Sequence, residues 1–307
     1  MAKRGKKRGR DISGILVLNK GLGYTSNASL QRVKRMYGAA KAGHTGSLDP
    51  LATGVLPICL GEATKFSQFL LDADKSYRVT GELGTQTASG DADGEVVKTC
   101  PVGTVSATDL ETVLSQFQGE IEQVPSMYSA LKHEGQPLYK LARQGVEVER
   151  KARKVTIYQI DMLEFDGQRF TLDVHCSKGT YIRNLVEDIG FALDNLAYVV
   201  KLHRTGSGPF GEKDAISVEQ LAEVMDNGGH AALDELLLPI DAALDQWPAV
   251  HLTDLTSFYM KTGQAVQIPD SPTEGRVKLL EEDGNFLGVG EILDDGRVAP
   301  RRLMKTS

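Results

Sequence analysis

Between Lys41 and Phe66 the chain reads KAGHTGSLDPLATGVLPICLGEATKF, and before Glu62 this stretch holds one carboxylate, Asp49. Pro50 follows it and pushes the Asp49 backbone away from helix toward extended conformation. Gly43, Gly46 and Gly54 permit sharp turns and the close approach of another backbone. A loop that holds a single carboxylate rigidly suits nucleophilic catalysis. The same residues also suit an Asp-Pro turn whose side chain only satisfies nearby amides. On residue types alone both readings stay open. His44 stands five residues upstream of Asp49.

Cofactor chemistry finds no sequence support. The six histidines are dispersed, and Cys59, Cys100 and Cys176 form no CxxC, so no metal site and no disulfide frame is expected. Scattered free thiols fit a reducing compartment. GSGPFG (Gly206 to Gly211) matches G-x-G-x-x-G by letter. Pro209 lies inside it and no helix begins after it, so it reads as a turn. There is no Walker sequence, no H-E-x-x-H and no G-x-S-x-G. Chemistry must come from side chains alone.

The positioning elements follow from periodicity. GILVLN (Gly14 to Asn19) reads as a buried strand, and Ser26 is placed to cap a helix carrying Leu30, Val33 and Tyr37 on one face. The 41–66 stretch is expected to be loop and then a short apolar element. YRVTGELG (Tyr77 to Gly84) reads as a strand, and GDADGE as a turn. Ser106 with Asp109 three residues on marks a helix start. KVTIYQIDMLEF and RFTLDVHC read as paired strands around Asp166–Gly167, with Phe170, Leu172, Val174 and Cys176 alternating. YIRNLVEDIGFAL puts Ile182, Leu185, Val186, Ile189 and Leu193 at helical spacing, and two further helical patterns cover Val218 to Leu238. Tyr181 and Arg183 open the first of these helices. A cation there, with Lys178 nearby, opposes the helix dipole, so a negative partner is expected, either Asp49 or a phosphate. An Arg183–Glu187 pair at i,i+4 is the weaker alternative. Beyond Pro248 short strand-like runs alternate with Asp-Gly turns, which suggests a small β module.

Composition is that of a folded globular chain, with 41% hydrophobic and 25% charged residues over 307 positions. No apolar run approaches the ~20 residues of a membrane helix, and no signal peptide follows the basic start. A cytoplasmic location without a membrane partner is expected. Net charge is −6, yet Lys3, Arg4, Lys6, Lys7, Arg8 and Arg10 crowd the first ten residues. ERKARK (Glu149 to Lys154) and RRLMK (Arg301 to Lys305) add two more basic clusters. Three such runs on an acidic chain point to a polyanion partner, with solvated tails as the bland alternative.

AGHTGSLDPLATGVLPICLGEATK resembles the catalytic motif of the TruB-type tRNA pseudouridine synthases, with Asp49 at the nucleophile position. The resemblance continues in DKSYRV (Asp74 to Val79), in PSMYSALKHEGQPLYKLARQG (Pro125 to Gly145), in CSKGTYIRNLVEDIG (Cys176 to Gly190) and in GRVAPRRL (Gly296 to Leu303). It implies an α/β (α+β) pseudouridine-synthase fold, with a central mixed, largely antiparallel sheet flanked by helices and loops. On that reading, 1–12 is a basic tail and 13–248 the catalytic domain, with an RNA-contacting excursion at 123–152. A PUA-like RNA-binding module follows at 249–307. The implied activity is isomerisation of uridine to pseudouridine at position 55 in the tRNA T-loop, by a monomer acting on the T-arm stem-loop without cofactor or metal.

The resemblance also assigns roles. Asp49, Tyr77 and Arg183 are the catalytic set, with Arg183 holding Asp49 ionised. Tyr77 would stack on the base and its hydroxyl would relay a proton. His44, Tyr181, Leu202, Lys20 and Lys178 would contact substrate or RNA, with His44 supporting the flipped-out conformation and Leu202 lining the uracil pocket. The chain departs from the family at Gly21 and Asn19, where Asp-Lys-Pro is usual, at Ser47 in place of Ala, and at Ala88. The chemistry needs one nucleophile, at C1′ or at C6 of the ring, on a base flipped out of the RNA stack. A non-catalytic tRNA-binding or RNA-folding protein on the same scaffold is the alternative, and a hydrolase releasing free uracil a third reading.

Overall fold

The computed structural model describes residues 9–129 and 131–305, so most of the basic N-terminal tail expected at 1–12 lies outside the described residues. Strand β1 (Gly14–Lys20) is buried at every position but Asn19. Its alternating side chains feed two cores, as a strand's pleat requires. Leu16 and Leu18 enter the larger one, Ile15 and Val17 the second. Helix α1 (Ser26–Met36) is capped by Thr25, whose hydroxyl accepts the Ala28 amide at 3.1 Å. The expected cap, Ser26, turns inward instead. Its hydroxyl donates to the Leu48 carbonyl at 3.1 Å and accepts the Leu48 amide at 2.7 Å.

The 41–66 stretch is more regular than its sequence suggested. Strand β2 (Ala42–His44) pairs antiparallel with the nine-residue β3 (Ala52–Leu60), which also pairs with β1. Only 45–51, carrying Asp49, remains loop. β3 is buried at all positions but Thr53, and a strand buried on both faces loses the alternation that normally reveals it.

Helix α2 (Ser67–Asp72) leads into β4 (Lys75–Leu83). A small hairpin, β5 (Thr85–Thr87) and β6 (Val96–Thr99), carries the Gly90–Glu95 turn. Helix α3 (Ala107–Phe117) opens with a complete Ser106/Asp109 capping box, and β7 (Gly119–Gln123) follows. An excursion then holds a two-residue hairpin, β8 (Lys132–His133) and β9 (Gln136–Pro137), and the short α4 (Leu138–Ala142). Strands β10 (Arg153–Phe165) and β11 (Arg169–Cys176) form the expected pair, and α5 (Ile182–Ala192) buries Ile182, Leu185, Val186 and Ile189. Strand β12 (Ala197–Ser207) turns through Gly208–Pro209 into β13 (Phe210–Gly211), so GSGPFG is a hairpin turn. β14 (Ile216–Ser217) precedes α6 (Val218–Asp234), which is kinked at Gly229.

These strands form one ten-stranded sheet in the order β14-β1-β3-β12-β4-β11-β10-β7, with β2 on β3 and β13 on β12. Only β1–β14 and β3–β12 are parallel. The expected mixed, largely antiparallel α/β fold is therefore present. A second, four-stranded sheet is built from β15 (Ala249–His251), β16 (Arg276–Leu280), β17 (Phe286–Ile292) and β18 (Val298–Leu303). Helix α7 (Asp254–Lys261) lies between β15 and β16 in the chain, and a purely β reading missed it. This sheet has its own core around Val277, Leu279 and Met260. It also packs on the large sheet: Val289 joins the second core, and Phe286 meets Phe66 edge-on with ring centroids 5.3 Å apart.

Candidate active site

The loop bearing Asp49 is tied down from several directions. The Asp49 carbonyl accepts the Ala52 amide at 3.1 Å, and the Pro50 carbonyl accepts the Gly23 amide at 2.8 Å. Ser26 of α1 clamps Leu48 as described. Lys20, at the end of β1, has no exposed surface. Its ammonium donates to the carbonyls of Gly21 at 3.0 Å, Tyr24 at 2.7 Å and Pro50 at 3.5 Å. Burial pulls that ammonium down to about 8. This corrects the reading of Lys20 as an RNA contact: a fully buried amine facing three carbonyls fastens the loop instead.

Asp49 opens onto a cavity of about 270 Å³, lined also by Tyr77, Tyr181, Arg183, Leu202 and Arg204. Arg183 Nε stands 3.1 Å from Asp49 Oδ2. The rest of the Arg183 guanidinium is committed elsewhere. Nη1 donates to the Ser89 carbonyl at 2.7 Å and lies 3.4 Å from Asp91 Oδ2, and Nη2 donates to the Tyr128 carbonyl at 2.9 Å. Asp91 is itself fixed, its Oδ1 accepting the Ser89 hydroxyl and the Asp93 amide. A cation at the first turn of α5 thus finds two carboxylates and two carbonyls, which offsets the unfavourable helix dipole. Asp49 keeps 41% of its side-chain surface open to the cavity. Burial still pushes its carboxyl above the ordinary range, against the pull of Arg183 and Lys20 and with the push of Asp91.

Tyr77 pairs with Val174 on one side and Arg204 on the other, which sets its ring on the cavity face of β4. Desolvation raises its phenol, and the neighbouring Arg204 pulls the other way. Leu202 lies on the same face of β12, two residues from Arg204. The Tyr181 amide donates to Gln123 Oε1 at 3.0 Å, and its carbonyl accepts from Gln123 Nε2 at 3.3 Å, so α5 starts where β7 ends.

Two expected residues stand apart. His44 ends β2 and does not line the cavity; its Nδ1 is buried without a partner among the described residues, and burial lowers its imidazole. Lys178 is exposed beside the cavity wall and is paired with Asp72 at 2.7 Å. The sequence reading missed Asp91, Lys75 and Arg204. Lys75 and Arg204 were within reach of it, since each lies two residues along a strand from Tyr77 or Leu202 and so shares that residue's face.

A half-buried carboxylate held by an arginine faces an aromatic ring and a leucine across this cavity, an arrangement suited to chemistry on a nucleobase. The chain belongs to the TruB family of pseudouridylate synthases, isomerases that convert uridine to pseudouridine. The pattern of the "TruB family pseudouridylate synthase (N terminal domain)" matches residues 34–182. The "tRNA pseudouridylate synthase B C-terminal domain" matches 183–245, and "Pseudouridine synthase II TruB, C-terminal" matches 248–304. The chain is 54% identical over 296 residues to the tRNA pseudouridine synthase B of Coxiella burnetii strain RSA 331, covering 96% of each. It is 54% identical over 301 residues to that of Pseudomonas putida strain F1, covering 98% of each. In three dimensions it resembles a chain of a Cbf5–Nop10–Gar1 complex, with TM-score 0.74 and 26% identity over 95% of this chain and 84% of that one.

Proposed function

We propose that the cavity receives one uridine, at position 55 of a tRNA T-loop, flipped out of its stem-loop, and that Asp49 attacks it as nucleophile. The observation that carries this reading is the Arg183–Asp49 contact of 3.1 Å at a cavity otherwise walled by Tyr77 and Leu202. After attack the N1–C1′ bond breaks, the freed ring turns, C5 bonds to C1′, the bond to Asp49 is released, and C5 loses its proton. Asp49 forms its bond either to C1′ or to C6, and the ring becomes electron-rich on either route. Tyr77 stacks on the extruded ring. Its phenol is raised, so a proton-accepting role depends on the Arg204 guanidinium beside it. Tyr181 and Leu202 confine the ring, and Arg183 orients the carboxylate. His44 and Lys178, outside the cavity wall, meet the RNA around the flipped nucleotide.

The T-arm lies across the excursion 123–152 and the module 249–307, where Arg301, Arg302 and Lys305 are exposed. The enzyme works as a monomer and without cofactor. Its three free cysteines suit the cytoplasm. No helix among the described residues is long and apolar enough to cross a membrane. The test is nucleoside digestion of a tRNA transcript after incubation with the protein. Pseudouridine confined to T-loop position 55 is expected. Free uracil, or unaltered uridine, would overturn the assignment.

A further inference from the structure

Arg204 is the largest side chain that is fully buried, with 1% of its surface exposed. Unlike Arg183, it has no carboxylate within ion-pair distance among the described residues. Its Nε donates to the Val55 carbonyl at 2.6 Å and its Nη2 to the Gly46 carbonyl at 3.2 Å. Those two carbonyls flank the Asp49 loop, so the guanidinium straddles the nucleophile's support. Its backbone is equally fixed. Gly54 lies against it with φ +100°, and a Cβ there would stand 2.3 Å from the Arg204 carbonyl oxygen. No carboxylate and no further carbonyl bonds the guanidinium among the described residues, while the side chain lines the cavity together with Leu202 and with Tyr77, whose phenol lies beside it.

A buried cation is costly to keep unless an anion offsets it. Carbonyl dipoles satisfy part of this guanidinium, and Asp49 is already engaged by Arg183. Four cations gather around the cavity, Lys20, Lys75, Arg183 and Arg204, while the two carboxylates in direct contact with a cation there, Asp49 and Asp91, are both engaged by Arg183; Asp72 and Asp74 act on Lys75 without an ion-pair contact. The reaction itself supplies the missing anion. If Asp49 attacks C1′, the N1–C1′ electron pair leaves with the ring, which becomes a uracil anion with charge on its carbonyl oxygens. If Asp49 adds at C6, the C5–C6 π electrons move toward O4 as an enolate. Both routes load the ring with negative charge beside Arg204.

We propose that Arg204 is a further catalytic residue, whose guanidinium at the cavity wall stabilises the negative charge that develops on the uracil ring. It acts as a preorganised donor for an anion present only along the reaction path, an arrangement that lowers the barrier rather than tightening ground-state binding. Arg183 and Arg204 then divide the work: one holds the nucleophile, the other receives the charge the nucleophile displaces. The proposal rests on the uridine-isomerising reading above.

The test compares single-turnover formation of rearranged nucleoside on two RNAs, one carrying uridine at the target and one carrying 5-fluorouridine, whose ring bears negative charge more readily. Conversion by the wild-type enzyme tests the underlying reading; the dependence on ring acidity tests this one. R204M and R204Q should lower the uridine rate by roughly 10²–10³-fold, the usual loss on removing one such donor. The loss on the 5-fluorouridine RNA should be clearly smaller, and tRNA affinity close to wild type. R204K keeps the charge and should keep the wild-type ratio between the two RNAs. An equal loss on both RNAs in R204M or R204Q, while the variant still binds tRNA, overturns the proposal, because a purely structural defect does not discriminate by ring acidity; so does an R204K enzyme whose ratio shifts as far as theirs.

Discussion

The Asp49 cavity and the surface of the C-terminal sheet both pair arginine with carboxylate, under opposite conditions. Arg183 and Asp91 each keep 5% of their side-chain surface, whereas Arg301 and Glu291 keep 52% and 37%. An exposed pair of the second kind is worth about 0–1 kcal/mol, because water serves each charge nearly as well. A buried pair gains little as a pair, but breaking it strands a charge at a cost of about 3–5 kcal/mol. The cavity therefore holds its charges in fixed positions. The module's charges are free to exchange partners, as the RNA-phosphate contact proposed for it requires.

The sharpest break in this comparison is Asp49→Asn. It preserves the side chain's shape and removes the nucleophile, so we expect pseudouridine formation to vanish while tRNA binding survives, as read by nucleoside digestion and filter binding. Stability should move the opposite way to a damaged core. The folded protein raises the Asp49 carboxyl above its unfolded value. It thus binds that proton more tightly than the unfolded chain does, and the ionised form lowers stability at neutral pH. Asp49→Asn should unfold at the same or a higher urea concentration than wild type. Measurable turnover by this variant would falsify the assignment of the nucleophile.

Asp91→Ala removes the other half of the buried network. Arg183 keeps its carbonyl bonds but loses its second carboxylate. We expect a stability loss of about 3 kcal/mol by urea denaturation, toward the lower end for breaking a buried pair because Asp49 still offsets part of the charge. A loss under about 1 kcal/mol would place Asp91 with the exposed pairs.

The pH profile sharpens the same contrast. The nucleophile must be ionised, so the single-turnover rate should fall as acid protonates Asp49, with a midpoint above the ordinary carboxylate range. Arg183 lowers that carboxyl, so Arg183→Met should move the acid limb to still higher pH. A limb unmoved in this variant would mean that Arg183 does not set the charge state of Asp49.

Sequence periodicity disclosed most of the frame and only part of the site. The β10–β11 pair, α3 with its capping box and α5 were legible because each is a local pattern. β3 was hidden because a strand buried on both faces shows no alternation. α7 was hidden because DLTSFYMK is a short segment ahead of the strand-like runs and Asp-Gly turns (Asp283–Gly284, Asp295–Gly296) that signal hairpins. Within the site, Asp49, Tyr77 and Leu202 stood out through family resemblance, while Asp91 lay in a turn whose acids look alike in sequence. Lys20 was misread for a physical reason: a lysine is usually exposed, and nothing local reveals that Gly21, Tyr24 and Pro50 turn their carbonyls onto it.

The smallest expected effects belong to the C-terminal surface, where they discriminate between two neighbouring arginines. Arg302 is exposed and has no carboxylate within ion-pair distance among the described residues, whereas Arg301 is held by Glu291. Removing either should change stability by less than about 1 kcal/mol. Their contributions to tRNA binding should differ. A free arginine that meets a phosphate releases a counterion, so Arg302→Ala should lower the slope of log affinity against log salt by about one. A phosphate must compete with Glu291 for Arg301, so Arg301→Ala should lower it by less, and Glu291→Gln should strengthen binding by freeing that charge. If all three variants keep the wild-type slope, these residues are solvated charges, and the phosphate contacts lie elsewhere on the chain.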